Sequence, residues 1–94
     1  MQVHETGIDR VYPNPFNPQT TITYSIGDPG RAVVRVFDVT GRHVKTLVDG
    51  HREPGQYQVR WDAFTTSGGL PSGVYFVRLD MNNTSRTQKM LLVK

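Results

Sequence analysis

The residues able to hold a metal ion or move a proton are few and scattered. The chain carries three histidines, His4, His43 and His51, and eight carboxylates. No histidine stands two or four residues from another or beside an acidic cluster, the spacings that bring ligands together on one strand or helix. No metal site is expected. Asp28, Asp38, Asp49, Asp62 and Asp80 are expected at strand ends and turns, where a short carboxylate accepts hydrogen bonds from nearby backbone N–H groups. Cysteine is absent, which removes thiol nucleophiles, thiolate ligands and disulfides together. No GxSxG, phosphate-binding loop or paired-carboxylate motif supplies an activated nucleophile or an acid–base pair. The expectation is a protein that is not an enzyme and takes no cofactor.

Charge and size narrow the class further. The net charge is +3, carried mostly by arginines spread one or two per segment: Arg10, Arg31, Arg35, Arg42, Arg52, Arg60, Arg78 and Arg86. A nucleic-acid surface would cluster such residues with stacking aromatics, so no nucleic-acid partner is expected. Ninety-four residues make one domain. No apolar run approaches the roughly 20 residues of a membrane helix, so no stable membrane insertion is expected. "MQVHETGIDR" lacks the apolar segment of a secretory signal. The isolated domain is read as a monomer.

Apolar residues alternate with a period of two between turn signals about 8–12 residues apart, which reads as an all-β protein. "TTITYSI" puts Ile22, Tyr24 and Ile26 on one face. In "RAVVRVFDV", Ala32, Val34 and Val36 point inward and Phe37 outward. "HVKTLVDG" is a short strand with Val44 and either Leu47 or Val48 inward, and its change of phase near Thr46 implies a bulge. "QYQVRWD" turns Tyr57, Val59 and Trp61 inward, and "GVYFVRLDM" does the same with Tyr75, Val77, Leu79 and Met81. The loop between those two strands has Phe64 and Leu70 as its expected pins. The closing "RTQKMLLVK" shows no alternation and reads as a strand covered on both faces or handed to a partner. With a weak strand near Ile8–Val11 the count is about seven antiparallel strands, an immunoglobulin-like β-sandwich without a disulfide.

Two features remain after the core is assigned. "YPNPFNP" places three prolines in seven residues, each fixing φ and removing a donor. It reads as a stiff, non-paired lead-in whose aromatics, Tyr12 and Phe16, are pinned against something. Phe37 and Phe76 fall on outer faces with Val33 and Val74, so neighbouring strands would join them into an apolar patch for a protein contact, flanked by Arg35 and Arg78. A carbohydrate-binding accessory module would need Phe37, Phe76 or Trp61 exposed and coplanar in a groove. A structural domain of a hook or filament assembly would self-associate through the same patch.

Five segments in order, "YPNPFNPQTTITYSI", "VFDVTGRHVKTLVDG", "GQYQVRWD", "SGVYFVRLD" and "QKMLLVK", closely resemble the C-terminal sorting domain of the type IX secretion system, type A class. That family is similar in turn to the immunoglobulin-like domain of the flagellar hook-capping protein. The resemblance runs from about Ile8 to Lys94 and leaves residues 1–7 as linker or appended lead-in. It implies a non-catalytic signal that directs a larger cargo protein from the periplasm across the outer membrane, for release or attachment at the cell surface. The implied partners are the cargo domains and outer-membrane secretion machinery proteins. The family's signal motifs map onto Pro13, Asn14 and Pro15, onto Gly73 and Tyr75, and onto Lys89, Met90, Leu91, Leu92, Val93 and Lys94. Gly73 is expected to permit a tight backbone path that turns Tyr75 inward, with its hydroxyl on a backbone acceptor. The tail is expected to need only its own ladder bonds broken to be offered to a receptor by strand addition.

Overall fold

A computed structural model of the chain describes residues 5–64 and 69–94. Seven strands are formed: β1 (Gly7–Tyr12), β2 (Gln19–Ile26), β3 (Gly30–Asp38), β4 (His43–Arg52), β5 (Gly55–Asp62), β6 (Gly73–Met81) and β7 (Thr84–Leu92). They build one sheet in the order β1-β2-β5 and another in the order β4-β3-β6-β7, with every neighbouring pair antiparallel. This is the expected immunoglobulin-like sandwich, with β4 alongside β3 in the larger sheet.

Period-two patterning decides which side chains fill the space between the sheets. Ile22, Tyr24 and Ile26 from β2, Ala32, Val34 and Val36 from β3, Trp61 from β5, and Tyr75, Val77, Leu79 and Met81 from β6 are all buried. Tyr57 and Val59 pack against this core from its margin. With no disulfide between the sheets, aromatic packing joins them. The Trp61 ring lies 5.4 Å from Phe16 and 5.9 Å from Tyr75, in tilted and edge-on contacts of the kind worth about 0.5–1.5 kcal/mol beyond area burial.

The bulge expected near Thr46 occurs one residue away. Val34 pairs with Val48 and Arg35 with Thr46, which leaves Leu47 as the extra residue, and a second shift leaves Val44 unpaired between Lys45 and His43. Both extra side chains pack against the core with Val48, so the expected choice between Leu47 and Val48 does not arise. The strand is also longer than expected. Bulges twist an edge strand and discourage further pairing, and β4 is such an edge.

Three expectations are corrected. Phe64 is 65% exposed and pins nothing into the core, while Ala63 is buried and donates its N–H to the Pro18 carbonyl at 3.0 Å; Leu70 does pack on the core. Residues 65–68 of that loop lie outside the described residues. Asp49 sits within β4, its carboxylate taking two hydrogen bonds from Arg31 on the neighbouring strand. The terminal run alternates after all: Met90 and Leu92 are buried, whereas Leu91 and Val93 are 39% and 44% exposed. A run of consecutive apolar residues hides a period-two pattern, so only packing reveals which half faces solvent.

Candidate functional site

Of the lead-in at residues 12–18, expected as non-paired with both aromatics pinned, Phe16 is paired and buried while Tyr12 is 62% exposed. Backbone donors are missing at the prolines, so neighbouring groups take over the bonding. The Thr20 hydroxyl donates to the Pro13 carbonyl at 2.7 Å. Beyond β1 the chain leaves the smaller sheet and crosses to the larger one, where Phe16 forms a parallel bridge with Leu92. The Phe16 N–H donates to the Leu91 carbonyl at 2.9 Å, and the Val93 N–H donates to the Phe16 carbonyl at 3.0 Å. The Phe16 ring enters the core, 2% exposed.

Asn14, between two prolines, replaces backbone with side chain. Its Nδ2 donates to the Lys89 carbonyl at 3.1 Å, and its Oδ1 accepts from the Leu91 N–H at 3.0 Å. Four hydrogen bonds therefore bind the outer edge of β7 between Lys89 and Val93. The inner edge of the same segment pairs with β6: Gly73 opposite Leu92, Val74 opposite Leu91, Tyr75 opposite Met90 and Phe76 opposite Lys89. At the last residue the Lys94 N–H donates to the Ser72 hydroxyl at 3.1 Å. The tail is held on both edges by more than its own ladder. Breaking the β6 ladder alone would not free it, which corrects the expected ease of strand addition.

Gly73 and Tyr75 shape the inner edge. Gly73 has φ +150°, outside the comfortable range of residues with a Cβ, although a Cβ there would meet no atom within 4 Å. The requirement is conformational and not spatial. The turn brings the Tyr75 hydroxyl onto the Pro71 carbonyl at 2.7 Å. This is a tyrosine corner of the kind found in immunoglobulin-like domains. Burial, and then the charge of Asp38, push the Tyr75 phenol above its ordinary value. The same device recurs at the start of β5, where Gly55 has φ +154° and the Tyr57 hydroxyl donates to the Glu53 carbonyl at 2.7 Å.

Beside this edge opens a groove of about 550 Å³, between residues 38–44 and Leu70–Tyr75. Its mouth is shaped by the β3–β4 turn. Asp38 accepts from the Thr40 hydroxyl at 2.6 Å and from the backbone N–H of Thr40 and Arg42. These bonds, the Thr40 hydroxyl foremost, hold the Asp38 carboxyl at about 2. Gly41, with φ +88°, completes the turn. The groove's carboxylate is thus committed to its own loop, and Arg42 lies 3.4 Å from it.

The outer face of the larger sheet sets Phe37 opposite Phe76, as register partners on adjacent strands. Val74 lies two residues from Phe76 on the same face. Val33 is set apart, opposite Asp80, with the Arg35–Arg78 pair between it and the phenylalanines. Arg35 and Arg78 both bond Asp80, at 2.6 and 2.8 Å, and the Ser85 hydroxyl completes the site at 2.8 Å. Burial alone would raise the Asp80 carboxyl, but Ser85, Arg78 and Arg35 outweigh it and hold it below the ordinary range. The Arg78 guanidinium lies 4.5 Å from the Phe37 ring centre, and His43 meets that ring edge-on. Trp61 is buried. The three rings named for a sugar platform do not form a coplanar exposed set.

What sequence reasoning missed is the contact between motifs. Asn14 and Leu91 are 77 residues apart, and nothing in either segment names the other. Pro13–Phe16, Gly73–Tyr75 and Lys89–Lys94 form three adjacent backbone tracks at one end of the sandwich. The model of the secretion system C-terminal sorting domain matches residues 10–94 of the sequence. The chain belongs to that family. A solved structure of dimeric latent PorU from Porphyromonas gingivalis has the same fold, with a TM-score of 0.75 at 21% identity. That match takes in 99% of the sorting domain and 10% of the PorU chain, so the domain spans about a tenth of the length of that protein. Among curated proteins no match is found. No helix among the described residues is long and apolar enough to cross a membrane.

Proposed function

We propose that the domain is a non-catalytic address label of the type IX secretion system, carried by a larger cargo protein. It directs that cargo from the periplasm across the outer membrane, to release or attachment at the cell surface. The supporting observation is the convergence of Pro13–Asn14–Pro15, Gly73–Tyr75 and Lys89–Lys94 on one edge of the sandwich. Residues scattered through a chain are useful to a receptor when folding gathers them on one surface, and these three segments are gathered. The reaction-bearing side chains near the edge are meanwhile committed to structure: Ser72 to Lys94, Tyr75 to Pro71 and Asp38 to its own turn.

The test is a transplant of the full chain. Fused behind a periplasm-directed fluorescent protein in a bacterium that possesses the type IX machinery, the domain is expected to bring fluorescence outside the outer membrane. A folded fusion that stays in the periplasm would overturn the proposal.

A further inference from the structure

The tail offers a receptor two different surfaces, according to whether it is free or held. Freed, residues 89–94 would present a bare strand edge for backbone pairing. Held, they present an outward row of side chains, because the backbone groups on both edges are in use. Asn14 and Phe16 occupy one edge, and β6 occupies the other. The Phe16 ring is buried against Trp61, and withdrawing a buried phenylalanine is among the costliest single changes a small core can undergo. The closed arrangement is the stable one.

The held surface has its own chemistry. Leu91 and Val93 are two of the large apolar side chains left exposed among the described residues, with Tyr12, Val39 and Phe64, and they are the two that share one strand face. Lys89 and Lys94 flank them, and neither forms an ion pair among the described residues. An apolar pair flanked by lysine ammonium groups, that of Lys89 unpaired on the same face, fits a complementary protein surface with an apolar strip edged by carboxylates.

We infer that the machinery reads the closed edge, with Asn14 as the positioning residue that holds Leu91 and Val93 in place, and that the occupant is a protein surface of that apolar and acidic character. This rests on the sorting role proposed above. Pro13-Asn14-Pro15 then acts through the tail: the prolines deny the segment a ladder of its own, and the asparagine lends two side-chain bonds to a strand that would otherwise fray. The segments assigned separately by resemblance are one physical element.

The experiment uses the full-length fluorescent fusion for export and the purified 94-residue chain for amide hydrogen exchange. Asn14→Ala removes two exposed hydrogen bonds and is expected to speed exchange at the Leu91 amide about tenfold and to reduce export. Leu91→Ser keeps the backbone bonds; it is expected to leave exchange at the Val93 amide unchanged and still reduce export. Export that is unchanged or increased when Asn14→Ala has freed the tail would overturn the inference in favour of strand addition. Unaltered exchange in Asn14→Ala would overturn the positioning role, and full export of Leu91→Ser would overturn the side-chain contact. Retention of the unsubstituted fusion in the periplasm would strike the sorting role itself. Leu91→Ser tests the contact even where Asn14→Ala fails to fold.

Discussion

At the scale of single residues, the tail end of the domain is defined by a few groups with no freedom to spare. Gly73 supplies a φ that a side chain resists, and Tyr75 turns the resulting bend into a hydrogen bond. Gly73→Ala is expected to cost about 1–3 kcal/mol through backbone strain, and Tyr75→Phe about 1–2 kcal/mol through the lost bond, both read from urea midpoints. The carboxylates give a pH signature. Asp38, Asp49 and Asp80 all bind protons less readily in the fold than in the unfolded chain. Their ionised forms therefore stabilise the fold above the unfolded carboxylate value of about 4. That contribution is expected to fade as pH falls through the folded values, that of Asp38 at about 2. Asp38→Asn and Asp80→Asn should each reduce the loss of stability as pH falls below about 4, measured as a smaller drop in the urea midpoint than in the unsubstituted chain. Tyr75 acts in the opposite range. Its raised folded value means the unfolded chain ionises first, so stability declines as pH rises above about 10.

At the scale of elements, β7 is at once a core strand and part of the proposed signal. Met90 and Leu92 are buried, and the residues between and after them face outward. Truncation after Gln88 would remove both buried side chains, at about 2–5 kcal/mol each, together with the partner of Phe16. Against a typical domain stability of about 5–15 kcal/mol, the shortened chain is expected to lose cooperative unfolding by circular dichroism. Phe16→Ala is expected to destabilise by about 3–5 kcal/mol while leaving the tail chemically intact. A deletion that abolishes export would therefore report folding as much as recognition. Substitutions at the outward positions separate the two.

At the scale of the whole molecule, the first described residues and the tail bond different parts of the fold. Thr6 accepts a hydrogen bond from Gly27 in the β2–β3 connection, while the tail closes beside Phe16, Ser72 and the β3–β4 turn at the other end. The long dimension of the domain is 42 Å. In the proposed fusion a cargo would join ahead of the first described residues, which bond the β2–β3 connection and not the latched edge. Fusing a folded cargo there is expected to leave the domain's denaturation midpoint and the exchange rates of the Leu91 and Val93 amides unchanged. A cargo that perturbed either would show that it reaches the tail.

Much of this arrangement is legible in the residues alone. The alternation in "TTITYSI", "QYQVRWD" and "GVYFVRLDM" determined the strands and their buried faces, because period two is a local property of the chain. The phase change in "HVKTLVDG" determined that a bulge was present, and the absence of cysteine determined that packing alone must join the sheets. Only the tertiary structure decided that "PNPF" docks on "KMLLV", that Leu91 and Val93 face outward while Met90 and Leu92 face inward, and that Val33 stands apart from Phe37. A hydrogen bond between residues 77 apart leaves no periodic trace in either segment, and an unbroken apolar run carries no mark of which half is covered. Those facts depend on which strands become neighbours, and that is settled by how the two sheets close over one shared core.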